Sequence, residues 1–95
     1  EWPKEGYIYD LSRTGAGIRS ESSLGKFEDE IILHFLVSVA GVTKNFKLTA
    51  IIRNKSALDV TYAPLKFNYG LQFHKLSDAA KIVLCGFIYE LQVEQ

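Results

Sequence analysis

The chain has 95 residues, the size of one ordinary domain, and its 11 basic and 11 acidic side chains leave no net charge. This balance argues against a protein that grips long nucleic acid by its phosphates, because such binding needs a basic face. The single cysteine, Cys85, excludes an internal disulfide, and no run approaches the roughly 18 apolar residues of a membrane span. We therefore expect one domain over 1–95 in a reducing, cytoplasmic compartment. We also expect a fragment of a longer chain, since Glu1 is not an initiator Met.

The first three quarters of the chain carry the period-two pattern of half-buried strands. Strand-like runs over 6–9 and 16–20 flank a turn, and an acidic loop follows over 21–30. The runs 31–39 and 46–52 alternate apolar with polar residues on either side of a predicted hairpin turn at Ala40-Gly41. We expect a turn at 54–56, another alternating run at 58–62 and the clearest strand at 65–73.

At Ser77 the pattern changes to that of a helix. Serine is a favoured N-cap, and the apolar residues that follow recur at spacings of three and four: Leu76, Ala79, Ala80, Val83, Leu84, Phe87, Ile88 and Leu91. This predicts a helix that ends near Val93 and packs on the sheet. Five or six antiparallel strands with one apolar face close most economically into a small barrel.

The stretch Asp10-Leu11-Ser12-Arg13-Thr14-Gly15-Ala16-Gly17 holds the densest set of groups that can bind a ligand. A carboxylate can accept the paired N–H donors of a guanine edge, and a serine hydroxyl can donate to a phosphate. Glycines allow positive φ and close approach of backbone N–H groups to an anion. The nearest cations along the chain are Arg13 and Arg19. The same residue types also build ordinary turns, and spacing alone favours that interpretation without excluding a ligand site.

Three segments in the same order resemble the PilZ domain family. Asp10-x-Ser12-x-x-Gly15, at the start of a strand, resembles its D/N-x-S-x-x-G signature. Tyr69-Gly70-Leu71-Gln72-Phe73 resembles the family's last core strand. The tail, Leu76-Ser77 and then Phe87-Ile88-Tyr89-Glu90-Leu91-Gln92, resembles its C-terminal helix, most closely in the flagellar-brake, YcgR-like branch.

The resemblance implies a mainly β fold: a small, six-stranded antiparallel β-barrel with a C-terminal α-helix. It also implies binding of cyclic di-GMP, a bacterial second messenger whose signalling governs outputs such as flagellar motility and biofilm formation. By that analogy Asp10 and Ser12 contact a guanine and the neighbouring phosphate, and Gly15 gives the turn its shape. With the nearby cation and second glycine of the same stretch, the predicted ligand-binding residues are Asp10, Ser12, Arg13, Gly15 and Gly17. The domain would relay the level of the messenger to a protein partner or host domain.

The family's second half-site, an R-x-x-x-R pair before the first strand, does not occur in the printed sequence. Residues 1–9 contain one basic side chain, Lys4, and are too few to hold both the pair and the family's first strand. We expect the arginines to lie upstream of Glu1, and weak or no nucleotide binding by these 95 residues alone. A barrel that lacks its first strand has an open edge, through which we expect self-association.

No arrangement of residues in the sequence favours an enzyme, a cofactor or a metal site. His34 and His74 have no acid or cysteine partner at metal-ligand spacing, and we expect both at the barrel surface. Ser12 has no nearby histidine to act as a base, and Cys85 is expected to be a buried, inert thiol. The alternative function is a divergent PilZ-type adaptor that contacts protein only and does not bind the nucleotide.

Overall fold

A computed structural model describes residues 4–94 of the chain, with the side chains of Val39, Phe87 and 89–94 left undescribed. The elements follow in the order β1 (Tyr7–Leu11), β2 (Gly15–Ser20), β3 (Glu30–Val39), β4 (Val42–Ala57), a short 3₁₀ helix (Val60–Tyr62), β5 (Phe67–Phe73) and α1 (Asp78–Glu94). The predicted mainly β fold with one C-terminal helix is confirmed.

The five strands form one antiparallel sheet in the order β1-β2-β5-β4-β3. The sheet curls into a half-barrel, and within residues 4–94 its two edge strands, β1 and β3, do not pair with each other. Five of the six strands that the resemblance implies are therefore present in this part of the chain. The edges of β1 and β3 are open here, and self-association through them stays a prediction.

The core lies on the concave face of this sheet, where the predicted alternation holds. The buried apolar side chains are Ala16, Ile18, Phe46, Leu48, Ala50, Ile52, Tyr69, Leu71, Phe73, Leu84 and Ile88. Tyr69 also fastens the loop after β2 over the core, because its hydroxyl accepts from the Leu24 N–H at 2.9 Å and donates to Ser23 Oγ at 3.3 Å. The residues that alternate with these buried ones along β2, β4 and β5 consequently face outward.

Two sequence predictions between β4 and β5 are wrong. The expected turn at 54–56 belongs to β4, which bulges between Ile52 and Asn54 and then resumes pairing with β5. The expected strand at 58–62 is instead a 3₁₀ helix, in which the Asp59 carboxylate accepts from the N–H of Thr61 at 2.7 Å and from its hydroxyl at 2.6 Å. These hydrogen bonds from Thr61 hold the pKa of Asp59 below its usual value.

The helix begins where the sequence predicts, because Ser77 Oγ accepts the Ala80 N–H at 3.1 Å as an N-cap. Leu84 is fully buried and Ile88 nearly so, whereas Val83 is exposed, which makes the apolar stripe narrower than predicted. Cys85 is half-buried rather than buried, and the predicted contributions of Phe87 and Leu91 lie outside the described side chains.

The described part of the chain contains no helix with the length and hydropathy of a membrane span.

Candidate functional site

The motif stretch forms the tight connection between β1 and β2. The Ser12 N–H donates to the Gly15 carbonyl at 2.9 Å, and Ser12 Oγ accepts from the N–H groups of Thr14 and Gly15 at 3.3 and 3.2 Å. The hydroxyl thus serves the turn, as the ordinary-turn interpretation predicts. Its own proton has two longer contacts, to the Gly15 carbonyl at 3.3 Å and to Thr14 Oγ1 at 3.4 Å, and can be redirected to a ligand oxygen without breaking the turn.

A row of four residues crosses the sheet beside this turn. Asp10 on β1 pairs with Gly17 on β2, Gly17 with Gly70 on β5, and Gly70 with Asn54 on β4. Since the neighbours of both glycines along their strands point into the core, the row lies on the outer face of the sheet. The two central positions carry no side chain; the Tyr9 ring packs over Gly17, and the backbone of Gly70 stays partly exposed.

The two strands at the ends of this row, β1 and β4, each carry a β-bulge immediately before their residue in the row. The register of β1 shifts between Ile8 and Asp10, and that of β4 shifts between Ile52 and Asn54. The extra residues, Tyr9 and Arg53, are both exposed on the outer face, on opposite sides of the two glycines. Bulges re-aim side chains in this way and are frequent next to binding sites.

Together these features enclose an open groove of about 420 Å³ on the outer face of the sheet. Its lining residues are Tyr9, Asp10, Ser12, Thr14, Gly15, Ala16, Gly17, Arg53, Gly70, Leu71 and Gln72. A larger cavity of about 640 Å³ lies in the gap between β1 and β3, lined by a mixture of core-facing apolar side chains and exposed residues that include Lys4, Glu5 and His34. That cavity contains none of the 10–17 stretch, so the groove is the better candidate for the site.

The groove brings together four of the predicted site residues and leaves one out. Asp10, Ser12, Gly15 and Gly17 line it. Arg13 lies on the other side of the turn, at a separate cavity that it shares with Lys75 and Lys81 beside α1. The cation in the groove is instead Arg53, which the sequence interpretation missed.

Arg19, the other cation close to the motif in sequence, is held in an aromatic stack. Its guanidinium carbon lies 4.2 Å from the ring centroid of Tyr9 and 4.9 Å from that of Tyr62. The stack fixes the Tyr9 ring at the wall of the groove, where a phenol adds a flat face and a hydroxyl. The sequence placed Tyr9 in a strand without any role in the site.

The motif glycines are required for close approach rather than for an unusual backbone conformation. A Cβ on Gly15 would overlap the carbonyl oxygen of Leu71, and one on Gly17 would lie 2.6 Å from Cζ of Tyr9. The positive φ values among the described glycines occur at Gly25 and Gly41, so the positive φ that glycine allows is not used at Gly15 or Gly17.

Nothing in the described part of the chain forms a metal site, since no three His, Cys, Asp or Glu side chains lie close enough to share an ion. His74 lies 3.7 Å from the Glu30 carboxylate, and His34 is on the exposed face of β3.

In comparisons with known proteins, the family model described as "PilZ domain" matches residues 3–90. A search of the curated proteins finds no match.

Proposed function

The chain belongs to the PilZ domain family, and from that premise we propose that it is a cyclic di-GMP receptor domain that binds the dinucleotide in the groove on the outer face of the sheet. The observation that carries the proposal is the convergence of Asp10, Ser12, Gly15 and Gly17 on one groove of the outer face. A PilZ domain is a binding domain, and the proposed role is reception of a signal rather than catalysis.

The chemistry of the groove suits a guanine and its phosphate. The guanine ring would pack against the Gly70 backbone and beside the Tyr9 ring, which covers Gly17. The Asp10 carboxylate accepts the N1–H and N2–H₂ donors of the guanine edge, which fixes the identity of the base. The Ser12 hydroxyl donates its proton to the adjacent phosphate while its lone pairs continue to hold the turn.

The output would follow from ordering of an arginine segment over the same face. The arginines of an R-x-x-x-R segment, which the family resemblance implies, would stack on the guanines, and the ordered segment would change the surface that a partner or host domain meets. The domain would act in the cytoplasm, where the messenger is made. Flagellar motility and biofilm formation are the proposed outputs.

Replacing Asp10 tests this proposal. In the full-length protein we expect Asp10→Ala to weaken cyclic di-GMP binding at least about 100-fold in calorimetric titration, since two hydrogen bonds to a charged acceptor are lost. The circular dichroism spectrum should stay unchanged, because Asp10 is exposed.

The matched control is Glu21→Ala, which removes one exposed acid outside the groove and should bind within about twofold of the wild type. Equal binding by the two variants would contradict the proposed role of Asp10. No heat from the wild-type protein would favour the adaptor function, which needs protein partners alone.

A further inference from the structure

We infer that Arg53 is the anion-binding side chain of the groove and that its guanidinium contacts a phosphate of the bound dinucleotide. The inference rests on the proposed function and adds to it a residue from β4, outside the signature motif. It starts from the bulge between Ile52 and Asn54, where the extra residue is turned toward the outer face.

The guanidinium is oriented by a neighbouring side chain. Arg53 Nε donates to Gln72 Oε1 at 2.7 Å, and Gln72 pairs in register with Gly15 of the motif. This bond holds the planar group beside the groove and uses one of its five N–H donors. The two terminal nitrogens remain available for the bidentate geometry that suits a phosphate.

The charge balance of the groove also requires a cation. Its lining contains one carboxylate, Asp10, and in the described part of the chain one cationic side chain, Arg53. Among the described lining residues, Arg53 is the one positive charge that offsets the repulsion between Asp10 and a phosphodiester placed beside it. The other nearby cation on β4, Lys55, donates to Ser23 Oγ at 2.9 Å and to the Gly25 carbonyl at 3.0 Å, so it is committed to the loop after β2.

Glu28 competes with the phosphate for the same guanidinium. Its Oε2 lies 3.9 Å from an Arg53 terminal nitrogen, a loose pair between exposed groups. The backbone places it there, because the Glu28 N–H donates to the Ile52 carbonyl at 2.7 Å, directly before the bulge. A phosphate that binds Arg53 must therefore displace Glu28 or lie next to its charge.

Substitutions that are expected to change the affinity for cyclic di-GMP in opposite directions test the inference. The affinity of each variant of the full-length protein is measured by calorimetric titration. Arg53→Gln should weaken binding about 10–100-fold, since a charge-assisted contact is lost. Arg53→Lys should recover part of that loss, because it keeps the charge without the fork. Glu28→Gln should tighten binding about two- to fivefold by removing the competing carboxylate.

The control is Lys44→Gln, which removes one exposed positive charge near the β3–β4 turn, outside the groove, and should bind within about twofold of the wild type. Thermal melting of each variant checks that it is folded. If Arg53→Gln binds like Lys44→Gln while Asp10→Ala does not bind, the inference about Arg53 is wrong and the proposed function stands. If the wild-type protein does not bind cyclic di-GMP, both the proposed function and the inference about Arg53 are wrong.

Discussion

Replacing Gly15 by alanine is expected to destabilise the fold by about 2–4 kcal/mol, because the new methyl group has no space beside the backbone of β5. The atom it would overlap is the carbonyl oxygen of Leu71, part of a strand paired on both sides. Gly15 is itself held, since its carbonyl accepts from the Ser12 N–H and the neighbouring Thr14 carbonyl accepts from the Phe73 N–H at 2.8 Å. Relief therefore requires β2 and β5 to separate at the motif end.

Gly86→Ala is the matched control for this substitution. Apart from the chain neighbours and the backbone of α1 itself, no described atom lies within 4 Å of a Cβ placed on Gly86, which is in the middle of α1. The same chemical change there should stabilise the domain by about 0.5–1 kcal/mol, since glycine is a poor helix former. Urea unfolding followed by circular dichroism measures both. A Gly15→Ala variant as stable as the wild type would show that the motif end of the sheet is looser than described.

Truncating Leu84 to alanine is expected to cost about 2–5 kcal/mol, the usual range for removing a fully buried leucine. Its side chain is 0% exposed and joins the cluster under the sheet, so the cavity left behind is enclosed by core side chains. The loss should be seen as a lower midpoint in urea with an unchanged denaturant slope.

Ile82→Ala, two positions earlier in the same helix, is the control for Leu84. Ile82 is 72% exposed, and its truncation should change the free energy of unfolding by no more than about 0.5 kcal/mol. An equal loss of unfolding free energy in the two variants would contradict the placement of α1 against the sheet. The losses differ only if the helix packs on the sheet through the face that carries Leu84.

The alternation of apolar residues was enough to predict most of the sheet, and Ser77 was enough to predict the start of the helix. The pattern failed at 54–56 because an extra residue inside a strand breaks the period of two in the same way that a turn does. Asn54, Lys55 and Ser56 are all polar, and a single sequence contains no signal that separates a bulge from a chain reversal.

The motif residues of the site could be predicted, but the cation could not. Arg13 and Arg19 are close to Asp10 along the chain, yet one lies across the turn and the other is stacked between two tyrosines. Arg53 reaches the groove only through the pairing of β2 with β5 and of β5 with β4, each of which joins segments far apart in sequence. Proximity to Asp10 along the chain therefore did not identify the cation of the groove.

The groove has a simple physical origin in the sheet. Gly17 and Gly70 are adjacent and carry no side chain on the outer face; the Tyr9 ring from the bulge on β1 covers Gly17, and the bulge on β4 places Arg53 on the other side. The signature motif supplies Asp10 and Ser12 at the open end. A flat, anionic ligand fits these features better than it fits the cavity between β1 and β3, which contains none of the 10–17 stretch.

The most direct test of the account is an amide NMR titration of the full-length protein with cyclic di-GMP up to millimolar concentration, at which even weak binding is detected. The account predicts shifts concentrated at Asp10, the turn over 12–17, Gly70, Gln72 and the Arg53 Nε–H signal, with the exposed face of β3 unchanged. No shifts at millimolar ligand, or shifts confined to the gap between β1 and β3, would contradict it.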